Sequence, residues 1–275
     1  MYIGFELKKL QKECFKSNFE YYLSIGKKEF NDFEKKIEPT LKEFTNTNGS
    51  LNGDKMQSAW FPKIKADIFL SHSHTDKDLV IAFAGWLKHI FDLNVFIDSC
   101  IWGNSKDLQE LIDIEHKVIW RDDNNEEWIN YNKVQYSASH VHMMLNTALM
   151  QMIDNCECII FVNTPHSVKP RDVVNKVVSP WIYSEIGMTK LIRKKELKEY
   201  RVQPIFEDDR SFSDKLKIEY NLDTDHLIKL SIDDLNEWKT NFNRQKNKPV
   251  NRITQMKGLN DQIALDYLYR LKEVR

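Results

Sequence analysis

One carboxylate interrupts an otherwise apolar helix face. Residues that recur at spacings of four, three and four share one face of a helix, and here they are Trp181, Glu185, Met188 and Ile192. A carboxylate among apolar neighbours is costly unless it meets a partner, water or a ligand. Glu185 is therefore a candidate catalytic or ligand-binding acid. The alternative is a glutamate that only complements the dipole at the start of its helix.

Two polar loops that follow apolar runs offer further ligand-binding groups. The first loop begins with Ser71 and His72, and its hydroxyls and backbone amides can receive ribose or phosphate oxygens. Its alternative role is ordinary turn chemistry, with Asp76 capping the next helix. The second loop begins at Asp98 and carries Trp102. That ring can stack on a nucleobase or a pyridine ring, or it can simply anchor its own loop.

Short apolar runs that alternate with helical periodicity must position these groups. The predicted strands are 66–70, 95–97, 158–162, 202–206 and 226–230. Strands alternating with helices predict an α/β fold of the flavodoxin-like type, with a parallel five-stranded sheet in the order 2-1-3-4-5 and helices on both faces. Ligands of such sheets bind beyond the carboxyl ends of the strands, where the strand order reverses. This crevice lies between the loops after the first and third strands, near Glu185.

The N-terminal segment is predicted to be a helical extension. Its apolar residues at helical spacing include Leu7, Leu10, Cys14 and Phe15, and a turn-rich stretch follows. We expect 1–53 to be this extension and its linker, and 63–275 to be the main domain with its C-terminal helices. The apolar face of the extension must bury against its own domain or against another protomer, and we favour the second.

Composition and charge exclude several classes of protein. Forty Lys and Arg against 41 Asp and Glu give a net charge of -1, so no global basic field favours nucleic acid. The chain has no run of about 18 apolar residues that would predict a membrane span, and no signal-peptide pattern. Four cysteines without an export signal indicate a reducing cytoplasm. Cys156 and Cys158 lack a second pair, so we interpret them as buried strand thiols and expect no metal.

Three motifs, in order along the chain, resemble Toll/interleukin-1 receptor (TIR) domains. Residues 67–73 (DIFLSHS), with the helix that follows, are similar to the first strand and loop of that family. Residues 95–98 (VFID) resemble its second strand, and 99–104 resemble its BB loop. Residues 179–185 (SPWIYSE) are similar to the S-x-W-x-x-x-E signature of NAD-cleaving TIR domains. The resemblance spans 63–242, in the style of bacterial TIR proteins that include those of Thoeris-type antiphage systems.

The resemblance implies an enzyme that cleaves the bond between nicotinamide and ribose in NAD+, which is then a substrate and not a cofactor. Nicotinamide leaves as a neutral group from a cationic pyridinium, so one acid suffices where ordinary glycosidases need two. Glu185 would be the catalytic residue, holding the ribose hydroxyls and stabilising the oxocarbenium-like transition state. The residues that would bind NAD+ around it are Phe69, Ser71, His72, Asp98, Trp102 and Trp181.

The identity of the product stays open. Water as acceptor gives ADP-ribose, an internal nucleophile gives a cyclic isomer, and another small nucleophile gives a conjugate. By resemblance we expect the product nucleotide to act on an effector protein in antiphage defence, and the enzyme to be a homo-oligomer. Two departures bear on this: Tyr183 stands where the family commonly has Cys, and a long polar insertion occupies 114–136.

A different class of function is a non-catalytic interaction module that assembles through the BB loop and adjacent helices. A nucleotide sensor without turnover is a weaker third possibility. The presence of Glu185 at the expected spacing from the tryptophan favours the enzyme.

Overall fold

The structure, a computed structural model, describes residues 1–31, 41–47, 50–102, 105–116, 119–121, 127–167, 176–177, 179–200, 220–221, 224–246 and 264–272. The strands are β1 (Ile3–Lys8), β2 (Ile68–Ser71), β3 (Val95–Phe96), β4 (Ile119–Arg121), β5 (Glu127–Ile129), β6 (Cys158–Asn163), β7 (Lys176–Val177), β8 (Tyr220–Asn221) and β9 (Ile228–Leu230). The helices are α1 (Phe19–Asn31), α2 (Gly53–Trp60), α3 (Lys77–Phe91), α4 (Asp98–Ile101), α5 (Ser105–Glu115), α6 (Tyr131–Asn155), α7 (Pro180–Leu191), α8 (Leu197–Tyr200), α9 (Ile232–Lys246) and α10 (Ala264–Leu271).

Five of the described strands form a parallel central sheet in the order β3-β2-β6-β1-β9. Helices flank the sheet, so the predicted α/β class and the parallel five-stranded architecture are confirmed. A parallel sheet is covered by helices on both faces, so the side chains on both sides of each strand are buried. This is why the strands appear in the sequence as continuous apolar runs. The small pairs β4–β5 and β7–β8 are antiparallel and lie outside this sheet.

The strand between β6 and β9 comes from the N-terminal segment. Phe5 pairs with Ile160 on one side and with Ile228 on the other, so β1 lies inside the sheet. The helix predicted around Leu7 is therefore wrong. A short apolar run fits helical and strand periodicity equally well, and here the burial of both faces decides for the strand. The strand predicted at 202–206 lies outside the described residues.

Helix α1 packs on α3 of the same chain through two glycines. A Cβ atom at Gly85 would collide with the carbonyl oxygen of Tyr22, and one at Gly26 would collide with that of Ile81. The two backbones can approach so closely only because these side chains are missing. The apolar face of α1 is thus buried on its own chain, and not on the second protomer that the sequence favoured.

The C-terminal helices complete the same core. The ring of Trp238 in α9 stacks on Phe91 of α3, with centroids 3.9 Å apart, and its indole N–H donates to the carbonyl of Ala264 at 2.8 Å. These helices correspond to the C-terminal helices that the sequence predicts for the main domain. Within the described ranges, no helix combines the length and the apolar character that a bilayer span requires.

Candidate active site

Glu185 is fixed beside Ser71 by the way α7 begins. Ser179 caps the helix by accepting a hydrogen bond from the backbone N–H of Ile182 at 3.3 Å, and Pro180 takes the first helical position. Glu185 then falls in the second turn and is only 3% exposed. Ser71, the last residue of β2, donates its hydroxyl to Oε2 of Glu185 at 2.5 Å.

The surroundings of Glu185 favour its neutral form. Burial raises the pKa of this carboxyl well above its ordinary value of 4.5, and the negative charge of Asp98 raises it further. The hydrogen bond from Ser71 acts in the opposite direction, because it stabilises the carboxylate. A cation placed beside Glu185 would oppose both dominant effects. The site is therefore suited to a ligand that carries positive charge.

His72 continues the same edge and is buried with an unsatisfied ring nitrogen. Its Nε2 lies 3.3 Å from the hydroxyl of Ser99, and its Nδ1 makes no hydrogen bond within the described part of the chain. Burial lowers the pKa of His72, while the charge of Asp98 partly opposes the shift. The imidazole is thus neutral at ordinary pH and offers one polar atom for which the described residues supply no partner.

Two predicted aromatic ligand-binding residues lie in the core. Trp102 is 2% exposed, and its indole N–H donates to the carbonyl of Pro62 at 3.1 Å. The Trp102 ring packs edge-on against the ring of Phe96. The ring of Phe69, in β2, packs against Phe96 as well. Trp102 therefore anchors its own loop, as the alternative interpretation had it. Neither Trp102 nor Phe69 presents an open ring face to a ligand.

Trp181 is the predicted aromatic ligand-binding residue that stays partly accessible. It lies in the first turn of α7 and meets His142 of α6 edge-on, with ring centroids 5.9 Å apart. A second link between these helices is the hydrogen bond from the Ser184 hydroxyl to the side-chain oxygen of Asn146, at 2.9 Å. Helix α6 thus supports α7 and the orientation of its acid.

Asp76 joins the two loops that border the crevice. It stands at the cap position of α3, but its side chain makes no capping hydrogen bond, so the predicted capping role is wrong. Instead it accepts a hydrogen bond from the hydroxyl of Thr164 at 2.5 Å and lies 2.7 Å from Nδ1 of His166. Both partners follow β6. Sequence reasoning missed them because no spacing relates them to Asp76.

A second buried carboxylate, which the sequence analysis missed, lies in β1. Glu6 is 0% exposed and accepts hydrogen bonds from Asn163 at 2.6 Å and from Lys229 at 2.5 Å. Burial alone would raise the pKa of Glu6, but these two donors outweigh it and the pKa is lowered. The available signal was an acid in the middle of the apolar run IGFEL at 3–7.

The strand register relates the two carboxylates. Ser71 pairs with Phe161, Phe161 pairs with Glu6, and Glu6 pairs with Lys229, so these four residues form one row across four strands. Residues in such a row point to the same sheet face. The side chain of Glu185 contacts this sheet face at Ser71. Glu6, with its partners Asn163 and Lys229, lies on the same sheet face two strands away.

The described residues contain no group of three or more His, Cys, Asp and Glu side chains placed to hold a metal ion. Cys156 and Cys158 are fully buried, and burial raises the pKa of both thiols. Cys158 lies in β6, as expected, whereas Cys156 lies at the C-terminal end of α6, before the strand. Both thiols are protonated and are therefore poor metal ligands.

No family model, no curated protein and no solved structure matches this chain.

Proposed function

We propose that this protein is a TIR-type enzyme that cleaves the bond between nicotinamide and ribose in NAD+. The observation that carries the proposal is the buried carboxyl of Glu185, bonded to Ser71 at the carboxyl end of a parallel strand. In parallel α/β sheets this edge is where ligands bind. A buried acid with a raised pKa at such an edge is typical of a functional site.

The chemistry follows from the charge of the substrate. When the C1′–N bond of NAD+ breaks, its electron pair goes to the pyridinium nitrogen, and nicotinamide leaves as a neutral molecule. The positive charge moves to the ribose, where the carboxylate of Glu185 stabilises it. Arrival of the cationic ring favours ionisation of Glu185, since it opposes the desolvation that otherwise keeps the acid neutral. Ser71 orients the carboxylate. A nucleophile then adds to C1′, and a proton that it carries, as water does, passes to the Glu185 carboxylate, which returns to its neutral form.

The wider role follows the family resemblance. The product is ADP-ribose, a cyclic isomer or a conjugate, according to the nucleophile that reaches C1′. We place the enzyme in the cytoplasm as a homo-oligomer in antiphage defence, where its product acts on an effector protein.

The test is release of nicotinamide from NAD+ by the purified protein, followed by chromatography and mass spectrometry. Glu185→Gln should lower the rate at least about a hundredfold, because it removes a charge that acts in the transition state. The matched control is Glu110→Gln, an equivalent change at an exposed position of α5, which should leave the rate unchanged. Equal turnover by the Glu185 variant and the control would refute the assignment.

A second candidate function is a non-catalytic interaction module. The observation that favours it is an exposed apolar stripe on α6, in which Tyr136 and Met143 are seven residues apart on one helix face. Such stripes commonly mark protein-binding surfaces. The two functions differ in one result: a scaffold would lose self-association or partner binding on Met143→Glu while never releasing nicotinamide.

A further inference from the structure

Glu6 is a charged residue where the sheet would ordinarily place an apolar one. Its neighbours in β1, Phe5 and Leu7, are as fully buried as Glu6 itself. A buried carboxylate is costly unless it is paired and hydrogen-bonded. Here Lys229 and Asn163 satisfy that requirement with hydrogen bonds of 2.5 and 2.6 Å.

The same carboxylate attracts a second cation. The ammonium of Lys8 lies 3.4 Å from Oε1 of Glu6, and its side chain is 49% exposed. Lys229 already balances the charge of Glu6, and it also donates to the carbonyl of Thr224 at 2.9 Å and to its hydroxyl at 3.3 Å. Those contacts use all three of its N–H groups. Lys8 is thus the surplus cation of the cluster, and its ammonium reaches solvent.

Lys8 lies where a ligand of this sheet would pass. It is the last residue of β1 and pairs in register with Asn163, the last residue of β6. Both therefore stand at the carboxyl edge, the usual ligand-binding edge of parallel sheets. An amide carries two N–H groups, of which Glu6 receives one, so Asn163 adds a donor type that suits phosphate oxygens.

The spacing between the two clusters suits one extended ligand. Ser71 and Glu6 lie in one row with Phe161 between them, so the two residues are two strands apart. Neighbouring strands are about 4.8 Å apart, which puts roughly 10 Å between the two positions. In NAD+ one ribose and one methylene group separate the scissile bond from the diphosphate. The long side chain of Lys8 can span the remaining distance between the diphosphate and β1.

The charges along the edge match the two charged parts of NAD+. Carboxyl groups of Glu185 and Asp98 lie at the β2–β3 end, and the surplus ammonium of Lys8 lies at β1. We propose that Lys8, positioned by Glu6 beside Asn163, binds the diphosphate of NAD+ while the nicotinamide ribose lies against Glu185. This inference rests on the proposed function and adds a substrate-binding residue to it.

The test compares two substrates that share the scissile bond. NAD+ contains the diphosphate, and nicotinamide riboside lacks it. Lys8→Gln should lower kcat/KM for NAD+ about tenfold, the value of one lost charge-assisted hydrogen bond, and leave kcat/KM for the riboside unchanged. Lys9→Gln is the matched control, an exposed lysine one residue further along the chain, and it should change neither value. Equal losses on both substrates, or no loss on either, would overturn the proposal.

A binding measurement separates this inference from the catalytic assignment. Calorimetry with ADP-ribose needs no turnover, and Lys8→Gln should weaken its binding about tenfold at low salt, whereas the control Lys9→Gln should not. That result would support the subsite even if the protein releases no nicotinamide from either substrate. Inorganic pyrophosphate is the second probe. If pyrophosphate binds in a Lys8-dependent way but ADP-ribose does not bind, the site accepts a different anion and the proposal fails.

Discussion

The hydroxyl of Ser71 and the carboxylate of Glu185 lie 2.5 Å apart, although 114 residues separate them in the chain. The contact joins the end of β2 to the second turn of α7. It is also the one described influence that lowers the pKa of Glu185 against burial and the charge of Asp98. Ser71 therefore helps to decide at which pH the acid becomes charged.

Removing that hydroxyl should shift the pH profile of the enzyme. With Ser71→Ala the pKa of Glu185 rises further, so the increase of kcat/KM with pH should move to higher pH and the rate at neutral pH should fall several-fold. Ser71→Thr keeps a hydroxyl and should retain most of the activity. An unchanged acid limb in the alanine variant would contradict the role given to Ser71.

Glu185 should cost stability at neutral pH. Its pKa is higher in the folded chain than the ordinary value of 4.5, so the folded state keeps a proton that the unfolded state releases. The contribution of Glu185 to the stability of the wild type therefore falls as pH rises from about 4.5 toward the folded pKa. The glutamine in the variant Glu185→Gln does not titrate, so the melting temperature of the variant should exceed that of the wild type by a margin that grows as pH rises above the ordinary value of 4.5. A margin that is independent of pH would show that the acid is not buried in its neutral form.

Glu6 should behave in the opposite way. Its pKa is lowered in the folded chain, so its contribution is present above the ordinary value of 4.5 and is lost as pH falls through the folded pKa. Glu6→Gln should destabilise the fold by about 2 kcal/mol at neutral pH, because it leaves Lys229 without its counter-charge. This destabilisation is smaller than is usual when one partner of a buried ion pair is removed, because half of the Lys229 side chain is exposed and its ammonium can turn to water. Urea unfolding at neutral and acid pH measures the effect, which should shrink on acidification.

The α1–α3 contact should tolerate no added methyl group. Gly85→Ala should destabilise the protein by about 1–3 kcal/mol, since the new Cβ would meet the carbonyl oxygen of Tyr22 and the helices would have to separate. Gly187→Ala in α7 is the matched control. No atom lies within 4 Å of the position its Cβ would take, so the change should be neutral or slightly stabilising in a helix. Equal melting temperatures for the two variants would show that α1 does not pack as described.

The elements that sequence predicted correctly are those with local signals. Strands β2 and β6 are apolar runs with polar ends, and α7 has both its cap and its proline in place. Such signals need no knowledge of the partner strand or helix. The sequence predicts Ser71 and Glu185 as separate site residues, but their contact depends on the order of the strands in the sheet, which only the structure supplies.

The missed features depend on distant partners. The strand character of β1 comes from neighbours more than 150 residues away, and the same neighbours satisfy Glu6. The sequence does not show whether the ring of Trp102 faces a ligand or the core, because a loop tryptophan can do either. In the structure its indole N–H donates to the carbonyl of Pro62, which holds the ring in the core. The sequence predicts Asp76 as a helix cap because a cap is recognised from the residues next to it. Its actual partners, Thr164 and His166, follow another strand, so no local pattern indicates them.

The place of β1 in the sheet has a consequence for biosynthesis. Glu6 leaves the ribosome before its partners Asn163 and Lys229, which follow 157 and 223 residues later. At about 5–20 residues per second, the nascent strand waits for roughly ten seconds or more before its last partner is made. During that time an apolar strand with unpaired edges must be shielded, or it will pair with other chains. We therefore expect the sheet to close only after β9 has left the ribosome, and the refolding of the sheet to be slow because its contacts are far apart in sequence.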